Sequence, residues 1–201
     1  MSLDSVTAVP VMCRRGRHTL DLPRLRLQTP TVRDLLMMAA VGSDPEAQRW
    51  LGWPPDDVVS ERHRDRILTK RPGRGKLFRG SVDGTWGIIV VDRASGMIAG
   101  QVTVQIDTGE VGGSLAPRFR SRGLGAEFFR GAALFAHHIL GAGSIRAGAE
   151  TTNTVCIGAL RSAGFVPTTG PGVHQLSDGR TIASLWFRHD AEPAPRCRAV
   201  D

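Results

Sequence analysis

Residues 111–140 decide the fold of this chain and read VGGSLAPRFRSRGLGAEFFRGAALFAHHIL. A short apolar run ends at Pro117, and a basic turn follows over residues 118–125. Apolar residues then recur with nearly the 3.6-residue period of a helix, at Phe128, Phe129, Ala132, Phe135, Ala136 and Ile139. This order predicts an anion site, because the first N–H groups of a helix lack partners and the helix dipole makes that end positive.

The glycines and arginines of the turn suit a phosphate. Gly123 and Gly125 let an anion approach the backbone without a Cβ in the way. Arg118, Arg120 and Arg122 add positive charge that does not titrate away near neutral pH. We therefore expect a ligand that carries phosphate groups.

Two common nucleotide motifs do not fit the spacing. A Rossmann fingerprint needs G-x-G-x-x-G, and Phe128 stands where its third glycine belongs. A P-loop needs Lys and then Ser or Thr after its second glycine, and Ala126 and Glu127 occupy those positions. Both motifs are excluded.

Two motifs instead resemble those of the GNAT acetyltransferases. Arg120-x-x-Gly123-x-Gly125 resembles the [Q/R]-x-x-G-x-[G/A] loop with which that family binds the pyrophosphate of acyl-CoA. Residues 153–165, NTVCIGALRSAGF, resemble its downstream segment N-x-x-[S/A]-x-x-x-[Y/L]-x-x-x-G-F. Asn153 is the predicted N-cap of a helix over residues 154–163, and Gly164 is expected to end it. A predicted strand over residues 144–150 separates the motifs at the spacing usual for the family.

The resemblance covers residues 22–189 and implies a GNAT fold of the α/β (α+β) class. We expect a central mixed, mostly antiparallel sheet of six to seven strands with helices on both faces. Residues 1–21 are predicted to be a flexible arm, and residues 190–201 a disordered tail. Helices are predicted at 32–41, capped by Thr31, and at 43–51 and 56–70. The last two cover the acceptor site in relatives, so Trp50, Trp53 and Trp86 either line that site or pack in the core.

Composition limits the remaining possibilities. The 201 residues carry a formal net charge of +7, from 26 basic and 19 acidic residues. Aromatic residues do not alternate with basic ones as on a base-stacking surface, so nucleic acid is not the expected partner. No apolar run is long enough to span a membrane. Cys13, Cys156 and Cys197 match no metal pattern, and a reduced cytoplasmic protein without a metal is the simplest interpretation. Whether the chain forms a homodimer stays open.

The resemblance implies acetyl-CoA as co-substrate. The residues expected to bind it are Ser114, Leu115, Ala116, Arg118, Arg120, Ser121, Arg122, Gly123, Leu124, Gly125, Ala126 and Asn153. In relatives, backbone N–H groups of the strand before the loop polarise the thioester carbonyl. Residues 114–116 would supply them here, as in an oxyanion hole.

A general base is needed because only a neutral amine attacks the thioester. Glu110 is the first candidate, since it matches the acidic position of the E-[IV]-G segment in ribosomal-protein-type N-terminal acetyltransferases. Glu150, at the end of the next predicted strand, is the second candidate. Glu127 lies in the first turn of a predicted helix, where an acid complements the dipole.

The proton donor to the leaving thiolate is less clear. The chain contains no tyrosine, and Leu160 occupies the place where many relatives have one. This favours the ribosomal-protein-like (Rim type) branch, although Cys156 replaces the serine expected there. A thiol either donates a proton to the leaving sulfur or packs as a small apolar group.

These observations predict an acetyl-CoA-dependent N-acetyltransferase that acts on a primary amine, such as a protein N-terminal α-amine. Two alternatives stay open. One is a non-catalytic acyl-CoA-binding module of the same fold. The other is a small-molecule acetyltransferase, although a polycationic acceptor such as an aminoglycoside suits a chain of charge +7 less well.

Overall fold

The computed structural model describes residues 11–14, 16–78, 81–82 and 84–192. The strands are β1 (Val11–Arg14), β2 (Arg17–Asp21), β3 (Leu25–Gln28), β4 (Ser81–Val82), β5 (Thr85–Asp92), β6 (Ile98–Gln105), β7 (Glu110–Leu115), β8 (Ser144–Glu150), β9 (Val166–Thr168), β10 (Val173–Gln175) and β11 (Thr181–Asp190). The α-helices are α1 (Asp34–Gly42), α2 (Pro45–Leu51), α3 (Glu61–Leu68), α4 (Gly125–His138) and α5 (Thr154–Ser162). Short 3-10 turns occupy Pro55–Asp57 and Pro117–Phe119.

The described strands form one sheet in the order β1-β2-β3-β5-β6-β7-β8-β11-β10, with β4 beside β5 and β9 beside β11. Every pairing is antiparallel except that of β7 with β8. The predicted mixed, mostly antiparallel sheet is confirmed, but it has eleven strands rather than six to seven. β7 and β8 pair only where Glu110 lies opposite Arg146. A gap therefore opens in the middle of the sheet.

Helices cover both faces, as predicted. Met38 of α1 lies against Gly87, whereas Phe128 of α4 lies against Gly100. Gly87 pairs with Thr103, three residues from Gly100 on the same strand, so the two contacts lie on opposite faces. The core between these layers consists of buried aliphatic and aromatic residues, among them Leu25, Leu27, Ile88, Val90, Phe135 and Leu160.

The helix predicted within the second motif is confirmed as α5. The side chain of Asn153 accepts a hydrogen bond from the N–H of Cys156 at 3.1 Å, which caps α5. Gly164 follows the helix with a φ of +93°, the left-handed conformation that a glycine adopts without strain. This helix is therefore fixed at both ends by the residues that the motif supplies.

Two other helix boundaries differ from prediction. Thr31 pairs with Leu77 as an isolated bridge, so α1 begins at Asp34, whose carboxylate accepts from the N–H of Thr31 at 2.8 Å. The helix predicted over residues 56–70 is interrupted, because the N–H of Val59 donates to Ser43 Oγ at 2.9 Å and the chain is extended there. Both departures arise from contacts with distant segments.

The predicted N-terminal arm also differs. β2 pairs with β3 and buries Leu20 completely, so Arg17–Asp21 belongs to the sheet. The basic residues around this segment concealed its alternation in the sequence. At the other end, β11 continues to Asp190, the first residue of the predicted tail. The rest of both predicted termini, residues 1–10, Arg15 and residues 193–201, lies outside the described residues.

No helix in the described part of the chain is both long and apolar enough to cross a membrane.

A pair of histidines joins the end of α4 to β11. His137 Nε2 lies 3.0 Å from His189 Nδ1, and His137 Nδ1 lies 2.6 Å from the carbonyl oxygen of Ala142. This chain of contacts suits two neutral imidazoles, in which His189 donates to His137 and His137 donates to the carbonyl. Burial and the neighbouring His137 lower the pKa of His189.

We expect this pair to make the protein less stable in mild acid. The unfolded chain protonates His189 near pH 6.5 but the folded protein only at lower pH, so stability falls as pH drops below about 6.5. Thermal unfolding between pH 7.5 and 5 measures the effect. His189→Gln should remove part of the decline, whereas His138→Gln, on the exposed face of the same helix, should not. An identical decline in wild type and His189→Gln would contradict the assignment.

Candidate active site

A cavity of about 730 Å³ fills the gap between β7 and β8. Its walls come from these two strands, from residues 120–126 with the start of α4, from α5, and from α2, β10 and β11. The volume lies within the range of about 300–1,000 Å³ that is usual for small-molecule and cofactor sites. The cavity therefore joins both sequence motifs to the region predicted to cover an acceptor.

The glycine-containing turn borders the cavity as predicted. Gly123 has a φ of +66° and open space where a Cβ would stand. Gly125 begins α4 and lies against α5, where an added Cβ would come within 2.9 Å of Ala159. The N–H groups in the first turn of any α-helix have no intrahelical partner. In α4 no side chain caps them either, so they are left for a ligand. Ser121, Leu124 and Ala126 also line this part of the cavity.

Arg24 holds the turn by its carbonyl groups and does not line the cavity. Its guanidinium donates to the carbonyl oxygens of Arg122 at 3.1 Å and Gly123 at 2.6 Å. Glu127 fixes Arg24 in turn, accepting from its backbone N–H at 2.6 Å and from its Nε at 3.0 Å. With those carbonyls engaged by Arg24, the N–H groups at the start of α4 are left for a ligand. No local pattern in the sequence points to this role of Arg24, because its partners lie about 100 residues away.

The three arginines of the turn are placed differently from the prediction. Arg118 donates to the carbonyl of Leu68 at 2.9 Å and does not line the cavity. Arg122 lies over the ring of Phe119 and does not line it either. Arg120 borders the cavity, but its guanidinium is bound to Asp44. None of the three presents an unengaged guanidinium to the cavity, so the groups left to receive an anion there are backbone amides.

β7 offers two backbone donors to the gap. The N–H of Ala116 is engaged, donating to the carbonyl of Ala99 at 2.9 Å, which removes Ala116 from the predicted donors. Hydrogen-bonded pairs alternate along antiparallel strands, so the N–H of Ser114 points towards β6, and those of Gly113 and Leu115 point into the gap. Leu115 therefore remains from the prediction, and Gly113 joins it.

The hydroxyl of Ser114 is a further feature of this wall. Ser114 lines the cavity, but its Oγ is shielded from solvent and has no hydrogen-bond partner. A buried hydroxyl without a partner is unfavourable.

Both predicted residues of the second motif line the cavity. The side-chain oxygen of Asn153 caps α5, and its side-chain nitrogen takes no part in the cap. Burial raises the pKa of the Cys156 thiol to about 11. The thiol therefore stays protonated near neutral pH and releases its proton reluctantly, which favours packing over proton donation.

Three carboxylates line the cavity. Glu110 lies at the start of β7, with an oxygen 3.6 Å from Arg146 Nη2. Glu150 accepts from the hydroxyl of Thr152 at 2.9 Å. Glu46 of α2 is the third, and the sequence did not single it out. Among the described residues, no group of three His, Cys, Asp or Glu side chains is placed to hold a metal ion.

The tryptophans divide between the two roles considered for them. Trp50 of α2 lines the cavity, together with Trp186 of β11. Trp53 packs over Gly42, and Trp86 packs against the hydrophobic core.

A family model described as Acetyltransferase (GNAT) domain matches residues 24–166. The chain belongs to the GNAT acetyltransferase family. Because of this membership, the chain is an acetyl-CoA-dependent N-acetyltransferase, as the sequence predicted. A search of curated protein sequences finds no significant match.

Solved structures of similar fold agree with this family. The spermidine N-acetyltransferase from Vibrio cholerae in complex with CoA and spermine has a TM-score of 0.63 and 15% identity, over 84% of this chain and 96% of that one. The ribosomal-protein-S5-alanine acetyltransferase from Vibrio fischeri has a TM-score of 0.56 and 14% identity, over 86% and 96%. The microcin C7 self-immunity acetyltransferase in complex with acetyl-CoA and AMP has a TM-score of 0.60 and 11% identity, over 85% and 94%. Identities this low establish a shared fold only.

The residues of this GNAT cavity fit acetyl-CoA. The uncapped start of α4 suits the pyrophosphate, and the N–H groups of Gly113 and Leu115 suit carbonyl oxygens along β7. Acetyl-CoA supplies the acetyl group as an activated thioester when bound.

We expect Arg24→Ala to weaken CoA binding although Arg24 does not line the cavity. Releasing the carbonyls of Arg122 and Gly123 lets the turn rotate its amides away, and we expect the Kd for CoA to rise about tenfold, near 1.4 kcal/mol. Titration calorimetry with CoA measures this. Arg26→Ala is the matched control, because Arg26 is a nearby arginine of β3 paired with Asp21. Equal Kd values for Arg24→Ala and wild type would show that the turn keeps its conformation without Arg24 and would contradict the prediction.

Proposed function

We propose that the protein acetylates a primary amine on a small acceptor that carries more than one positive charge. The observation behind this proposal is the acidic lining of the cavity by Glu46, Glu110 and Glu150. Two arginines offset part of this charge, because Arg120 pairs with Asp44 and Glu46 and Arg146 lies 3.6 Å from Glu110. These four carboxylates, Glu150 included, still exceed the two guanidinium groups beside them. A cleft lined by one sign of charge raises the local concentration of ligands of the opposite sign.

The net positive charge of the chain lies largely elsewhere. Residues 61–76 contain seven basic and two acidic residues, a net charge of +5 within a total of +7. They form α3 and the loop after it, which do not line the cavity. The sequence-based argument against a polycationic acceptor therefore does not apply to the cavity itself.

The chemistry follows from the residues at the gap. In this proposal, Glu110 accepts the proton that the acceptor's ammonium group must lose. The amides of Gly113 and Leu115 stabilise negative charge on the thioester oxygen as the new N–C bond forms and the C–S bond breaks. The thiolate takes its proton from solvent, because Cys156 holds its own proton too strongly.

A protein N-terminal α-amine is the second candidate acceptor. The Glu110-Val111-Gly112 segment supports it, since it matches the pattern of ribosomal-protein-type enzymes. Trp50 and Trp186 would give an apolar first side chain a surface to contact. The non-catalytic alternative is set aside, because the chain belongs to an acetyltransferase family and carboxylates border the gap.

An acceptor panel tests the proposal. Acetyl-CoA is mixed with spermidine, spermine, butylamine, an aminoglycoside and a short peptide with a free N-terminus, and free thiol is followed. We expect kcat/KM for a polyamine to exceed that for butylamine at least about tenfold, from attraction by several carboxylates. Glu46→Gln should reduce this ratio. A preference for the peptide would select the second candidate, and equal rates for all amines would contradict an electrostatic role for the lining.

A pair of variants tests the catalytic assignment. We expect Glu110→Gln to lower kcat near neutral pH by about 10²–10⁴, the usual contribution of a general base. Cys156→Ala should stay within about threefold of wild type, because a thiol with a raised pKa is a poor proton donor. Steady-state kinetics from pH 6 to 10 measure both. An unaltered pH–rate profile for Glu110→Gln would remove it as base and direct attention to Glu150.

A further inference from the structure

Arg120 is the residue of the cofactor turn whose geometry departs most from expectation. Each of its three guanidinium nitrogens has a partner. Nε donates to the carbonyl of Leu115 at 2.9 Å, Nη1 to Asp44 at 2.7 Å and Glu46 at 3.1 Å, and Nη2 to Asp44 at 2.6 Å. Its side chain is 19% exposed, and that of Asp44 is 7% exposed. A bidentate, largely buried pair of this kind is strong and directional.

Asp44 performs a second task with the same carboxylate. Its Oδ1 accepts from the N–H groups of Glu46 at 3.1 Å and Ala47 at 3.2 Å, and so caps α2. Burial alone would raise the pKa of Asp44, but the hydrogen bonds from Arg120 and from the helix N–H groups outweigh it and lower the pKa. Asp44 therefore stays ionised across the neutral range, and the first turn of α2 is held to the turn that binds the cofactor.

α2 carries the acceptor side of the cavity. Glu46, Ala47, Trp50 and Leu51 all line it. The carboxylate of Glu46 itself lies 3.1 Å from Arg120, so the capping carboxylate and the acidic side chain at this end both contact one guanidinium. At the other end, Arg180 donates to the carbonyls of Gln48 at 2.8 Å and Arg49 at 3.0 Å. The acceptor wall is a helix of seven residues, too short to keep its position without external contacts.

We propose that Arg120 is a positioning residue for the acceptor, which fixes α2 and Glu46 over the cavity, and is not a ligand of the cofactor phosphates. The role of Glu46 in this inference rests on the proposed function, while the fixing of α2 does not. Because Leu115 also binds Arg120 and offers its N–H to the gap, the same guanidinium aligns the acceptor wall with the donor strand.

The test uses Arg120→Lys, which keeps the charge but cannot bridge Leu115, Asp44 and Glu46 together. We expect the KM for the best amine acceptor to rise about tenfold while the Kd for CoA changes less than about twofold, because two of the three groups that the fork holds, Asp44 and Glu46, belong to the start of α2 and the third, Leu115, remains paired with β6. Asp44→Asn, which can still cap the helix, should give the same pattern. The double variant should be no worse than either single variant, because the two residues act as one unit.

Arg26→Lys is the matched control, since Arg26 makes a comparable two-bond pair with Asp21 away from the cavity. A rise in the Kd for CoA with an unchanged acceptor KM in Arg120→Lys would overturn the inference and make Arg120 a phosphate ligand.

Amide hydrogen exchange gives a readout that does not need an acceptor. In Arg120→Lys the amides of residues 46–51 should exchange faster, while those of the first turn of α4 should not change. Unchanged exchange in α2 would also overturn the inference. If the wild-type protein acetylated none of the amines tested, the proposed function would fail, and the exchange experiment would still decide whether Arg120 positions α2.

Discussion

The separation of β7 from β8 is the constraint on which the site depends. The two strands share one pair, Glu110 opposite Arg146, and then diverge. Each strand keeps its antiparallel neighbour, so the sheet stays continuous on both sides while two inner edges lose their partners. Unpaired backbone groups inside a protein are costly unless something binds them. The divergence therefore creates both the space and the polar groups for a ligand.

Backbone groups, rather than side-chain charges, dominate the cofactor end of this cavity. The arginines that make the turn look like a phosphate site are used to build it. Arg24 holds the carbonyls of the turn, and Arg120 ties it to α2. Arginine suits such work because its planar fork satisfies several acceptors at once and does not deprotonate. A basic turn is thus compatible with a ligand bound mainly by amides.

The sequence predicted those parts of the site that depend on local structure. The capped α5, the glycine that ends it and the glycine at the start of α4 each follow from a few neighbouring residues. The predicted general base, Glu110, lies at the cavity, although its role stays a prediction. The cytoplasmic location and a homodimer likewise stay predictions. Family membership could be predicted because two motifs occur at the spacing that is usual for the family. Either motif alone would not have supported the prediction.

What the sequence did not reveal depends on partners far along the chain. Arg120 and Asp44 are 76 residues apart, and Arg24 and Glu127 are 103 residues apart. β1 and β2 join the sheet because β2 pairs with β3, and the charged sequence of this segment did not predict that pairing. No local pattern distinguishes an arginine that faces a ligand from one that faces an aspartate.

Gly125 connects these local and distant effects. It has no side chain, and Ala159 of the neighbouring helix occupies the volume where one would stand. Because Gly125 carries only a hydrogen atom in place of a side chain, α4 and α5 pack closely there, and this contact sets the distance between the two helices. A larger residue at position 125 would push α5 away from α4 and so change the width of the cavity between them.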